Sequence, residues 1–151
     1  MKIAIGCDEA AFQLKELIKG YLKDLHHDVA DFGVHDERPV LYPDVAFKVA
    51  EEVAAGHFPR AILMCGTGIG MAICANKVHG VRAAQAHDTY SAERARKSND
   101  AQVLTMGARV VGPELAKSIV KAWLESEFEP ARSGPKVDRI NEYDARGGRA
   151  R

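Results

Sequence analysis

The chain has 151 residues, 46% of them hydrophobic and 28% charged, which is enough for one well-buried core and too few for two ordinary domains. Its 21 basic and 21 acidic residues cancel, and no segment interleaves Lys and Arg with aromatics, so nucleic acid is not an expected partner. The opening MKIAIGCDEAAF reaches Asp8 and Glu9 after a short apolar run, fitting neither a signal peptide nor a membrane span, so a cytoplasmic location is expected.

Lys2 to Gly6 reads as a strand, and Leu14, Leu17, Ile18, Tyr21, Leu22 and Leu25 then mark one face of a helix. Asp28 to Phe32 is a second strand. An irregular stretch holding Pro39 and Pro43 precedes a helix whose core stripe is Val45, Ala46, Val49, Ala50 and Val53. Ala61 to Met64 is the third strand, running into a glycine loop and a further helix. Val81 to Ala86 is the fourth, followed by a short helix with Asp88 as its N-cap, and Gln102 to Met106 is the fifth. Pro113 opens the next helix, which buries Ala116, Ile119, Val120 and Trp123. The polar segment beyond Phe128 carries Arg132, Lys136 and Arg139, which by themselves read as a solvated helix face. A single domain is expected over residues 1–140, with a flexible tail over 141–151.

Strands that are apolar without alternation, joined through helices, predict an α/β fold: a three-layer α/β/α sandwich around a five-stranded parallel Rossmann-like sheet. Ligands collect beyond the carboxyl ends of such strands. Cys7, Asp8 and Glu9 follow the first strand, Cys65 to Gly70 the third, and His87 and Asp88 the fourth. In RAILMCGTGIGMAICANK, residues 60–77, backbone N–H groups from Gly66 to Gly70 lead into a helix N-terminus, an arrangement suited to an oxyanion or phosphate. The same positive potential favours a thiolate at Cys65.

Competing motifs fail on their residues. GxGxxG counted from Gly66 needs a glycine where Met71 stands, and no P-loop, GxSxG elbow or HExxH pair is present, so no cofactor is expected. Cysteines at 7, 65 and 74 are odd in number and form no CxxC pair, which predicts free thiols without a disulfide framework or structural zinc. Cys74 reads as a small buried hydrophobe, and Cys7 is open to either reading. His26, His27, His35, His57 and His79 read as solvated; His87, closing the fourth strand, either lines the pocket or is solvated too.

The segments IAIGCDEAAFQLK, YPDVAFKVAEEVAAG, ILMCGTGIGMAICANKVHGVRAA, HDTYSAERARKSNDAQVLTMGARVVG and AKSIVKAWL closely resemble the ribose-5-phosphate isomerase B family, which also includes the two galactose-6-phosphate isomerase subunits. The resemblance covers nearly the whole of residues 1–140 and implies metal-free interconversion of a phosphorylated aldose and ketose. It also implies a homodimer or dimer of dimers whose sites draw on both subunits. By the same resemblance Cys65 is the carbon-proton base, and the amides of Gly66, Gly68, Ile69 and Gly70 with the Thr67 hydroxyl form the anion hole. One branch of the family has a glutamate base where Met71 stands here, which leaves Cys65 in that role. Asp8, Tyr42 and Asn99 match substrate-contacting positions, and Arg109, Arg132 and Lys136 match phosphate-binding ones. Lys136 replaces a usual arginine, offering a point charge without the bidentate fork.

Two departures bear on substrate. Family members read CDHAG and HND where this chain reads CDEAA and SND, so Glu9 and Ser98 stand at histidine positions. The second histidine is the family's ring-opening acid/base, and serine cannot shuttle a proton that way at neutral pH. A four-carbon sugar 4-phosphate has its C4 oxygen esterified and cannot close a furanose, so it needs no such group. The SNDAQVLTMGARVVG segment also resembles the sub-group that isomerises D-erythrulose 4-phosphate. That substrate is expected, with ribose 5-phosphate, opened by His87 or water, as the alternative. Glu9 is expected at the substrate site, pairing with a basic phosphate ligand or binding a hydroxyl. A non-catalytic sugar-phosphate binder is the reading from another class; retention of Cys65, Thr67, the glycines and Asn99 argues for the enzyme, since a binder needs no proton acceptor.

Overall fold

The apolar runs Lys2–Cys7 and Arg60–Cys65 become the adjacent central strands β1 and β3 of a parallel sheet, paired from Ile3 opposite Arg60 to Cys7 opposite Met64. The computed structural model describes residues 1–147. β2 (Asp28–Asp31) flanks β1, β5 (Val103–Gly107) flanks β3, and β4 (Ala83–Gln85) forms the far edge, giving the order β2-β1-β3-β5-β4. All the pairings are parallel. The expected α/β sandwich is therefore the observed fold.

Successive strand residues point to opposite faces, and both faces are covered. Ile3, Ile5, Ile62, Met64 and Leu104 pack beneath α1 (Phe12–Asp24), α4 (Thr89–Lys97) and α5 (Pro113–Leu124) through Ile18, Leu22, Ala92, Ile119 and Trp123. Ala4, Ala61, Leu63 and Val103 pack beneath α2 (Tyr42–Ala54) and α3 (Ile69–Ala75) through Ala46, Val49, Val53, Met71 and Cys74. No helix among the described residues is long and apolar enough to cross a membrane.

Boundaries differ from the sequence expectation in ways that have physical causes. β4 shrinks to three residues because an edge strand pairs on one side only, and the Gln102 side chain bridges the Arg82 amide and the Gly80 carbonyl just ahead of β5. Pro43 does not lie in irregular chain; it falls within the first turn of α2, where its missing N–H breaks no intrahelical bond. The C-terminal segment forms α6 (Pro130–Ala145), which continues past the boundary expected at residue 140. Asn141 Oδ1 there accepts from Arg82 Nη1, and Asp144 Oδ2 accepts from the Gly80 amide at 2.6 Å. The expected flexible tail is thus helical to Ala145, and residues 148–151 lie outside the described residues.

Lys15 is a buried cation on α1. Its ammonium donates to both Asp31 carboxylate oxygens at 2.8 and 2.9 Å and to the Val34 carbonyl at 2.6 Å, so the charge is fully partnered and the end of β2 is tied to α1.

Candidate active site

β3 ends on Cys65, which is 6% exposed at the carboxyl edge of the sheet. The chain then turns through Gly66, Thr67 and Gly68 so tightly that the Gly68 amide donates back to Cys65 Sγ at 3.1 Å. Gly68 sits at φ 76°, and a Cβ there would lie 2.7 Å from the Met106 carbonyl carbon, so only glycine fits between this loop and β5. Thr67 is exposed; its Oγ1 accepts from the Ile69 amide at 3.3 Å, which leaves its own O–H free to donate outward. Of the anion-hole donors expected from the sequence, Gly68 therefore faces the sulfur and Ile69 faces the threonine, while Thr67 presents its hydroxyl.

Two side chains flank the loop. A Cβ on Gly66 would meet Arg109 Nη1 at 3.3 Å, so the guanidinium lies against that residue; a Cβ on Gly70 would come within 2.6 Å of the Tyr42 hydroxyl oxygen, so the ring lies over that end. Asp8 follows β1 and donates its amide to Met64 O at 3.2 Å, which places it beside the end of β3. Its carboxylate accepts from the Ala11 amide at 3.3 Å and caps a single 3-10 turn, Glu9–Ala11. Burial raises the Asp8 carboxyl above its ordinary 3.8, and the neighbouring Glu9 charge adds to this, against the Ala11 and Ala10 amides and Arg109. One Glu9 carboxylate oxygen accepts from the Val40 amide at 3.2 Å.

His87 Nε2 accepts from the Gly107 amide at 3.0 Å. An amide can only donate, so the neutral ring carries its proton on Nδ1. A Cβ on Gly107 would strike the Thr67 backbone at 2.6 Å, which brings His87 alongside the glycine loop. The other two thiols are set apart. Burial pushes Cys7 up to about 12, and Cys74 is raised by burial and then by Cys65, so both stay protonated. Two supporting residues escape a sequence reading: Gln85 Nε2 donates to Thr67 O at 2.6 Å and Thr105 Oγ1 to Gly68 O at 2.9 Å. The signal for them is polarity inside or at the end of an otherwise apolar strand.

Ser98, Asn99, Arg132 and Lys136 are not brought to Cys65. α4 runs back from the carboxyl edge, so its C-cap Ser98 lies toward the amino edge of the sheet, about 13 Å of helix rise from the start of α4. There Ser98 Oγ accepts from Arg94 Nε and Nη2 at 3.0 and 2.8 Å, and the Asn99 carbonyl accepts from Arg82 Nε at 3.0 Å. α6 starts at the same edge, where the Glu129 amide donates to Lys97 O, and Arg132 and Lys136 are exposed. One chain thus carries Cys65 and Arg109 at one edge of the sheet, and Ser98, Asn99, Arg132 and Lys136 at the other.

Comparison with known proteins bears directly on this arrangement. Residues 3–140 match the family model described as Ribose/Galactose Isomerase. The chain is 57% identical over 144 residues to the ribose-5-P isomerase B of Listeria innocua, covering 95% of this chain and 97% of that protein. It is 56% identical over 146 residues to the D-erythrulose-4-phosphate isomerase of Pectobacterium atrosepticum, covering 95% of each. The solved structure of the Clostridium thermocellum ribose-5-phosphate isomerase B superposes with a TM-score of 0.95 at 45% identity, covering 97% of this chain and 99% of that one. The chain belongs to the ribose/galactose isomerase family of isomerases.

Proposed function

We propose that the chain interconverts an aldose and a ketose phosphate through an enediolate, with D-erythrose 4-phosphate and D-erythrulose 4-phosphate as the substrate pair. The observation that carries the chemistry is Cys65 Sγ beneath the Gly68 amide, between Arg109 and Tyr42. Cys65 as thiolate removes the C2 proton of the aldose and returns it to C1, and the Gly68 N–H stabilises the negative sulfur before and after the transfer. The Thr67 hydroxyl, with the amides of Gly66 and Gly70, supports the enediolate oxygens, and the Ile69 amide exchanges its long 3.3 Å bond for one to substrate. Asp8 and Tyr42 hold the substrate hydroxyls.

The phosphate site needs a second copy of the chain. Arg109 is beside Cys65, whereas Arg132, Lys136, Ser98 and Asn99 belong to the far edge, so a homodimer would supply them to its partner's thiol. Ile69 and Ile73, 51% and 56% exposed one turn apart on α3, offer an apolar face next to the site for such a contact.

Ser98 carries the choice of substrate. Gripped by Arg94 and without an imidazole, it offers no ring-opening acid, which suits a sugar that never cyclises. The competing reading is ribose 5-phosphate, favoured by His87 beside the loop with Nδ1–H available. A panel of four-, five- and six-carbon sugar phosphates decides. The native chain is expected to show its highest kcat/KM on the erythrulose/erythrose pair, and Ser98→His is expected to raise ribose 5-phosphate turnover selectively, within the roughly 10²–10⁴-fold range of general acid–base catalysis. A native kcat/KM for ribose 5-phosphate equal to or above the tetrose value refutes the four-carbon reading.

A further inference from the structure

Residues 32–41 connect β2 to α2 with no regular structure, and 35–41 form their distal part. The stretch ends at Tyr42, the residue whose ring lies over Gly70. Between Val34, whose amide donates to Cys7 O, and the start of α2, two side chains from the beginning of the first helical region reach across to it. Glu9 Oε2 accepts from the Val40 amide at 3.2 Å, and Gln13 Nε2 donates to Glu37 Oε1 at 2.8 Å. The first grips the backbone itself, two residues before Tyr42, a span of at most about 7 Å of chain. The second grips only an exposed side chain. Leu41, between Val40 and Tyr42, is 74% exposed and provides no packing to hold the segment down.

We propose that Glu9 is a positioning residue, strapping the 35–41 segment to the first helical region through the Val40 amide and so fixing Tyr42 over the glycine loop before substrate arrives. The arrangement also accounts for a carboxylate beside an anion-binding site: one of its oxygens is committed to an amide of the strap. Glu9 acts on the site through Tyr42, so its loss weakens substrate binding more than proton transfer. The inference rests on the isomerase reading only where it speaks of catalysis.

The test pairs hydrogen exchange at the Val40 amide with steady-state kinetics in Glu9→Ala and Glu9→Gln. A hydrogen bond to a charged acceptor is worth about 10- to 150-fold in a local opening equilibrium, so Glu9→Ala should speed Val40 exchange at least about tenfold. KM should rise severalfold with kcat within about twofold. The Gln oxygen still accepts from the amide, so Glu9→Gln should keep most of the protection and a KM near that of the native chain. Unchanged Val40 exchange in Glu9→Ala overturns the strap. Faster exchange with unchanged KM overturns its link to the site, and a raised KM in Glu9→Gln with Val40 still protected assigns the effect to charge instead. The exchange measurement needs no substrate, so a native chain inactive on every sugar phosphate would refute the functional reading while the strap is still judged at Val40.

Discussion

Replacing Gly68 by alanine tests the thiol loop against a control built into the same chain. Gly68 and Gly80 both have positive φ, 76° and 81°, so alanine at either costs roughly 1–2 kcal/mol for the left-handed backbone. They differ in surroundings. Around Gly80 nothing lies within 4 Å of an added Cβ, whereas at Gly68 the Cβ would stand 2.7 Å from the Met106 carbonyl carbon and 2.9 Å from its N and Cα. Met106 is fully buried backbone in β5 and cannot yield, so the loop must move and carry the amide away from Cys65 Sγ. A hydrogen bond to a charged acceptor is worth about 1.5–3 kcal/mol, which predicts a fall in kcat/KM of about 10- to 150-fold for Gly68→Ala. Gly80→Ala should keep native kcat/KM while its melting temperature drops by about 2–4 °C per kcal/mol lost. The assay is initial-rate isomerisation of the best sugar phosphate, with thermal melts of both variants. A folded Gly68→Ala enzyme within threefold of native activity would show that the amide-to-sulfur contact does not serve the chemistry.

Subunit mixing tests the proposal that two chains share each site. Cys65→Ser should be nearly inactive alone, and exchange with Arg132→Ala subunits should restore activity, because one of the two mixed sites then holds an intact thiol and an intact arginine. Mixing Cys65→Ser with Arg109→Ala should restore none, since both residues serve the same loop; recovery there, or none with Arg132→Ala after confirmed exchange, contradicts the assignment. Stability should fall in acid through Asp31. Burial pushes its carboxyl up, but the Lys15 and Lys19 ammonium groups and the Gly33 amide outweigh this and hold it at about 2. A carboxyl held below its unfolded value of 3.8 stabilises the fold fully above that pH, and the contribution, about 2 kcal/mol, is lost as pH falls from near 4 toward 2. Asp31→Asn should lower stability at pH 7 by at least that amount and flatten the acid limb of a denaturant-midpoint profile; an unchanged profile would deny the ion pair this role.

The sheet was legible because β1, β3 and β5 are apolar on both faces, a pattern that only a doubly covered parallel sheet satisfies. The gathering of polar residues at one edge was legible for the same reason: Asp8, Cys65 and His87 stand where those runs stop. What one dimension conceals is direction. Ser98 and Asn99 stand within ten residues of Gly107, yet α4 has already carried them back to the other edge before β5 returns, and the family resemblance implies one task for Arg109 and Arg132 without revealing that they stand at opposite edges. Glu9 was misleading because its partner is a backbone amide 31 residues away, and an amide leaves no trace in side-chain pattern. Pro43 looked like a break because proline is tolerated in a helix only in the first turn, and nothing nearby marked Leu41 as the cap.

The separation of the thiol and cationic halves along one sheet has a consequence for symmetry. For two copies to complete each other, the carboxyl edge of one sheet must lie beside the amino edge of the other, so the strands of the paired sheets run in opposite senses. A two-fold axis delivers that, and it closes both sites in one event. A dimer of the proposed kind would have no half-assembled working state. Its activity per chain would decline on dilution below the dimer's dissociation constant, the two sites would vanish together, and substrate spanning both halves would hold the subunits together by mass action.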